Sequence, residues 1–250
     1  MTPTPRLLYV HDDLTDETRE RYGADSEALR GVRALFALIA RDGRRIRILS
    51  LEEQLAGLAR GRHAPFAVAV GIGRAGERVA RQVQSRTGWF PAIERIELTR
   101  EEDGDRYALS TLGRPPLDVQ LAGFGQASRI AVVDDTIFSG LTMTATLKAL
   151  GPAALARAHA FCLRAVAESL ASVTALCPAT AGFVASGRLL EDVSFINASG
   201  LVRRGAIRRV GQSPLAFYER PEWMRAWFLA EAEEVTAHCG ALARRLGEAG

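Results

Sequence analysis

Hydrophobic positions along the chain follow two alternating rhythms. RLLYV (6–10) and RIRILS (45–50) have the strand pattern, whereas SEALRGVRALFALIAR (26–41) spaces its apolar residues by three and four, which predicts a helix with Ser26 as N-cap. LEEQLAGLARG (51–61) predicts a second helix, stopped by glycine. FAVAV (66–70) predicts a strand, followed by a turn with Gly71, Gly73 and Gly76 and a helix over ERVARQVQSR (77–86). IERIEL (93–98), RIAVVDD (129–135), AHAFCLRAV (158–166) and TAGFVAS (180–186) read as further strands, and SGLTMTATLKALG (139–151) as turn, helix and glycine stop. The tail, 220–250, reads as helix with Trp223, Trp227 and Phe228 on an apolar stripe, where core or subunit packing is the default role. Strands that alternate with helices from 45 to 166 predict an α/β fold, a parallel-sheet core with helices on both faces. Ligands of such sheets gather at the carboxyl ends of the strands, where both 71–76 and 134–142 lie. Residues 99–120 are polar and rich in turn residues, and read as a long irregular segment of the kind that closes over a site.

Composition narrows the function classes without choosing one. The 250 residues are 48% hydrophobic and 24% charged, an ordinary globular balance. No apolar run approaches the roughly 18 residues of a membrane span. MTPTPRLLYVHDD lacks a basic region followed by a long apolar core, so no signal peptide and a cytoplasmic location are expected. The net charge of +3 is too weak to argue for nucleic acid. Cys162, Cys177 and Cys239 are widely spaced and read as buried thiols, not as a metal cluster. Lys148 is the only lysine among 32 basic residues, so chemistry that needs a neutral amine has little to draw on.

The first turn, GIGRAG (71–76), has the G-x-G-x-x-G spacing, and Glu97 stands about 20 residues further on, where a dinucleotide fingerprint places an acid. The second turn is more informative. In AVVDDTIFSGLTMTATL (131–147) an apolar strand delivers Asp134 and Asp135, and Phe138-Ser139-Gly140-Leu141-Thr142 then opens a helix. Backbone N–H groups at such a helix start converge on an anion, the Ser139 and Thr142 hydroxyls add donors, and Gly140 permits a conformation other residues resist. The carboxylates cannot bind phosphate but can accept hydrogen bonds from a vicinal diol. Phosphate on one side and a diol on the other describe a ribose 5-phosphate.

VVDDTIFSGLTM (132–143) resembles the phosphoribosyl pyrophosphate (PRPP) motif of type I phosphoribosyltransferases, and the likeness extends over roughly 60–170. The resemblance implies a transferase that moves 5-phosphoribosyl from PRPP to a nitrogenous, nucleobase-like acceptor with release of pyrophosphate. It implies Asp134 and Asp135 at the ribose and Thr136, Ile137, Phe138, Ser139, Gly140, Leu141 and Thr142 around the 5-phosphate. Ile72, Gly73, Arg74, Ala75 and Gly76 would cradle pyrophosphate, and Arg100, Arg106 or Arg114 would close over it, with Tyr107 a further lid candidate. It further implies Mg²⁺ held largely by pyrophosphate and ribose hydroxyls, with Asp134 and Asp135 the side chains within reach, and a homodimer. On this reading the whole chain is one domain, with residues 1–59 and 171–250 forming a hood that selects the acceptor. Phe138 stands where 6-oxopurine enzymes of the family carry an aspartate, which argues against hypoxanthine or guanine.

Two other classes fit parts of the pattern. One is a non-catalytic regulator of the same fold that binds PRPP or a nucleotide. The other is a Rossmann enzyme that binds NAD at 71–76. A response-regulator receiver needs a lysine roughly 100 residues after its paired acids, and Lys148 follows Asp135 by only 13. His11-Asp12-Asp13 could be read as a metal cluster, but three adjacent loop residues point in different directions. SFINASGLVRRGAI (194–207), with Asn197, Arg203 and Arg204, is a candidate for the acceptor pocket or for a solvated surface.

Overall fold

The computed structural model describes residues 4–104 and 106–247. They divide into two compact units, Met1–Leu51 with Leu190–Gly250, and Glu52–Leu189. The chain begins with β1 (Leu7–Asp12), α1 (Thr15–Tyr22), α2 (Glu27–Ile39) and β2 (Ile46–Ser50). The middle unit holds α3 (Leu51–Ala59), β3 (Val68–Ile72), α4 (Gly73–Thr87), β4 (Ile93–Ile96), β5 (Thr99–Asp103), β6 (Arg106–Ser110) and α5 (Leu117–Leu121). It continues through β7 (Ile130–Ile137), α6 (Leu141–Ala149), α7 (Pro152–Leu155), β8 (Ala158–Val166), α8 (Ala167–Thr174) and β9 (Ala179–Ala185). The chain closes with β10 (Val193–Asn197), α9 (Ala198–Val202), β11 (Ile207–Arg209), β12 (Gln212–Leu215), α10 (Pro221–Phe228) and α11 (Ala232–Arg245).

The two chain ends combine into one unit with its own parallel sheet, in the order β10-β1-β2. Leu8 and Val10 of β1 pack with Leu35 of α2, Val235 and Leu242 of α11, and Trp227 of α10 in a buried cluster. The tryptophan stripe of the tail therefore serves a core. Ser26 caps α2 by accepting the Leu29 N–H at 3.1 Å, as its position before the apolar run predicts. HDDLTDETRERYGADSE, which shows no apolar period, contains α1, and Asp12 starts it by accepting the Leu14 and Thr15 amides at 3.2 and 2.9 Å. Asp13 accepts the Ser199 amide at 2.8 Å, so these acids organise backbone, and among the described residues no three His, Cys, Asp or Glu side chains group as metal ligands. Arg203 and Arg204 are bound by Glu17 and Glu219, at 2.6 and 2.8 Å.

The middle unit carries a five-stranded parallel sheet in the order β4-β3-β7-β8-β9. Val68, Val70, Ile72, Ile130, Val132, Ala158 and Ala160 form one face and pack with Met143 and Leu147 of α6 and Val173 of α8. Buried Val79, Ala80 and Val83 of α4 cover the other face. Helices thus flank the sheet on both sides. All three cysteines are free and buried, and burial pushes the Cys239 thiol up to about 12. Among the described residues no helix is long and apolar enough to cross a membrane.

The segment 99–120 is more regular than its polar composition suggests. β5 and β6 form an antiparallel hairpin, with Thr99 opposite Ser110 and Asp103 opposite Arg106, and α5 follows. The local signal is Gly104, the first residue of the two-residue loop after β5, which takes φ +59°. No apolar alternation marks these strands because most of their side chains stay at least partly exposed.

The amino ends of the strands are sealed by an aromatic plug. His159 stacks on Phe161 with ring centroids 4.5 Å apart, and His63 meets His159 edge-on at 4.7 Å. Burial, His63 and Arg129 lower the His159 pKa to about 4. The folded state therefore binds fewer protons than the unfolded chain between about pH 6.5 and 4. Stability from this ring is complete above about pH 6.5 and is lost as pH falls toward 4. We expect a loss of about 1–2 kcal/mol over that window, allowing for the ring's partial exposure. Denaturant melts at pH 7 and 4.5 check this: the difference should shrink in His159→Phe, and an unchanged difference would assign it to other groups.

Candidate functional site

The order of the central sheet contains a switch point. From β3 the chain moves outward to β4, then returns to place β7 on the opposite side of β3, so connections leave β3 and β7 in opposite directions. Such a switch point opens a cleft at the carboxyl ends of the two strands. Gly71 is in register with Val133, the residue before Asp134, so the two turns singled out in the sequence lie side by side.

Backbone packing locks them together. The first turn is tighter than a free loop, because α4 begins at Gly73 directly after Ile72. A Cβ on Gly76 would overlap the carbonyl oxygen of Val133, and one on Gly71 would overlap the Glu77 amide. Two of the three glycines therefore serve close helix–strand approach, and Gly73 takes φ +60° at the helix start. Ala75 lies within the first turn of α4.

The second turn runs further as strand than its sequence suggests. Thr136 and Ile137 still belong to β7, with Ile137 in the core, so the loop is Phe138-Ser139-Gly140. Gly140 takes φ +75° before Leu141 opens α6. The first amides of α6 lack intrahelical partners and point out of the helix start. Ser139 is exposed there, and the Ser169 hydroxyl anchors the loop by donating to the Phe138 carbonyl at 2.5 Å.

The two acids have different environments. Asp134 is 8% exposed, and its oxygens accept the Asp135 amide at 2.8 Å and the Thr142 hydroxyl at 3.3 Å. Thr142 is thereby directed at Asp134. Burial, then the neighbouring Asp135 charge, raises the Asp134 pKa well above the usual carboxylate range. Asp135 is paired instead with Arg164 of β8, Nη2 to Oδ2 at 3.1 Å. Environments that divide adjacent carboxylates in this way give them different roles.

No protein-family model matches the chain, and no curated protein does. Solved structures with some likeness to it include a purine phosphoribosyltransferase from Pyrococcus horikoshii Ot3, at 16% identity and TM-score 0.32, covering 66% of this chain and 87% of that one. A hypothetical protein from Neisseria gonorrhoeae with bound ppGpp is 14% identical, at TM-score 0.39 over 66% of this chain and 82% of that one. A xanthine-guanine-hypoxanthine phosphoribosyltransferase from Helicobacter pylori is 15% identical, at TM-score 0.36 over 58% and 86%.

The remaining candidates separate. The Arg100 guanidinium lies 5.6 Å from the Phe138 ring centroid and 5.1 Å from that of Tyr107, which brings the hairpin onto the loop. Arg106 is exposed at the hairpin end and Arg114 is exposed beyond it. Arg74 lines an open groove of ≈ 840 Å³ along α4, with Arg78, Arg81, Arg86 and Arg95. Much of that positive charge is answered, because Glu77 binds Arg81 and Arg95 and Glu52 binds Arg86. Glu97 binds Arg95 at 2.9 Å and so has a structural partner where a dinucleotide site needs a ribose ligand. Sequence reasoning missed Arg164 altogether, since inside AHAFCLRAV it reads as one polar residue in an apolar strand.

Proposed function

We propose that the chain is a phosphoribosyltransferase of the type I class, which moves 5-phosphoribosyl from PRPP to a nitrogenous, nucleobase-like acceptor and releases pyrophosphate. The observation that carries this reading is the adjacency, at one switch point, of the glycine turn and the Asp134–Thr142 strand–loop–helix. The amides that start α6 bind the 5-phosphate, and Gly140 lets the loop expose them. Asp135 accepts from the ribose diol, and its negative charge favours the oxocarbenium-like state at the anomeric carbon. Asp134 braces the loop through the Asp135 amide and Thr142. The first turn of α4 and Arg100 stabilise the departing pyrophosphate.

Among the described residues no three His, Cys, Asp or Glu side chains form a cation cage, and both Asp134 oxygens are engaged. This donor set fits a Mg²⁺ that arrives with the ligand, held by pyrophosphate and ribose hydroxyls. When bound, Mg²⁺ supplies charge neutralisation on the leaving group.

Calorimetry with PRPP·Mg²⁺ and with NAD(H) separates this reading from a dinucleotide enzyme, and a pyrophosphate-release screen over nitrogen heterocycles separates transferase from regulator. Binding of NAD(H) without PRPP would overturn the assignment. Arg100→Ala is expected to slow pyrophosphate release about tenfold or more. Its melting temperature should stay close to the parent's, because Arg100 sits on a half-exposed hairpin.

A further inference from the structure

Arg164 is a fully buried arginine, with 0% of its surface exposed. Arginine is rarely buried, because its charge must leave water. Asp135 and Gln54 are among the groups that receive it. Nη2 donates to Asp135 Oδ2 at 3.1 Å, and Nη1 to Gln54 Oε1 on α3 at 3.4 Å. Gln54 is itself 1% exposed.

The position of Gln54 is fixed by backbone contact. A Cβ on Gly57 of α3 would overlap the Gly182 carbonyl of β9, and one on Gly182 would overlap the Gln54 carbonyl. Helix α3 therefore lies directly on the sheet with no side chain between, and Gln54 can shift little. From this fixed point the contacts run across β8 to the carboxyl end of β7, where Asp135 is still 19% exposed by its side chain. Apolar residues of similar volume often stabilise a core as well as a buried ion pair does. The arrangement is better explained by what it does to Asp135.

We propose that Arg164, held by Gln54, is a positioning residue that fixes the Asp135 carboxylate for the vicinal diol of a ribose 5-phosphate ligand. This inference rests on the PRPP reading above. It makes α3, at the boundary of the unit and outside the motif, part of the ribose site. It also predicts a selectivity that a general loss of folding does not produce. Ligands that carry the diol depend on Arg164, whereas inorganic pyrophosphate, which has no diol, does not.

The test is calorimetry of the full chain with three probes in Mg²⁺: PRPP, ribose 5-phosphate and inorganic pyrophosphate. Arg164→Met should weaken PRPP and ribose 5-phosphate by at least about tenfold and leave pyrophosphate within about twofold. Arg164→Lys should recover part of the diol affinity by restoring the charge. Equal weakening of all three probes, or no weakening, overturns the inference. Gln54→Met keeps the arginine and alters only its support, so it decides the matter if Arg164→Met does not fold. A smaller loss confined to the diol ligands is expected, and an equal loss for pyrophosphate overturns the inference. If the unaltered chain binds neither PRPP nor ribose 5-phosphate, the PRPP reading itself has failed. If it binds both and the variants do not discriminate, only the role of Arg164 has.

Discussion

Asp135→Asn is expected to lower PRPP turnover by about 10²–10³-fold, while Asp134→Asn stays within about tenfold of the parent. Sequence alone makes the two acids look equivalent. The structure separates them, because burial and the Asp135 charge raise the Asp134 pKa and favour the neutral form, which asparagine imitates. Asp135 faces Arg164, and asparagine there removes the charge that both the ribose and the guanidinium require. A stability effect should accompany the lost activity. A buried arginine without its counter-ion destabilises a fold by about 3–5 kcal/mol, and the asparagine oxygen offsets part of that. Adding Arg164→Met to Asp135→Asn removes the unpaired charge, so stability should largely return while turnover stays low. Steady-state pyrophosphate release and denaturant melts on the two single asparagine variants and the double variant check both halves. Equal effects of the two single asparagine variants would sink the division of roles.

Gly76→Ala is expected to destabilise the protein by about 3 kcal/mol or more. The new Cβ meets the backbone carbonyl of Val133 in the middle of β7, which cannot rotate aside as a side chain would. Relief requires α4 to lift from the sheet, against which it buries Val79, Ala80 and Val83. At this chain length the shift in melting temperature should be about 6–12 °C. Gly140→Ala is a useful contrast. Its added Cβ meets nothing closer than 3.6 Å, so only the left-handed φ of +75° opposes it, at about 1–2 kcal/mol. A melt showing Gly76→Ala no worse than Gly140→Ala would mean that the helix moves aside easily.

The amino-acid sequence by itself determined the elements whose signals are local. The apolar strands read at 66–70, 129–135 and 158–166, the period of α2 with its Ser26 cap, and the strand–loop–helix at 134–142 are all legible there, though β3 and β7 each run two residues further. A strand buried on both faces must be continuously apolar, and an amphipathic helix must repeat with its turn. The hairpin at 99–110 was marked only by Gly104 in its loop, since strands left partly exposed need no apolar alternation. The tertiary structure alone decided that residues 1–51 and 190–250 share one sheet, that Arg100 rests on Phe138, and that Arg164 rather than solvent answers Asp135. Asp135 and Arg164 are 29 residues apart and Arg164 and Gln54 110 apart, and no periodicity connects such positions. Charge chooses its partner through space, after the strands have been placed.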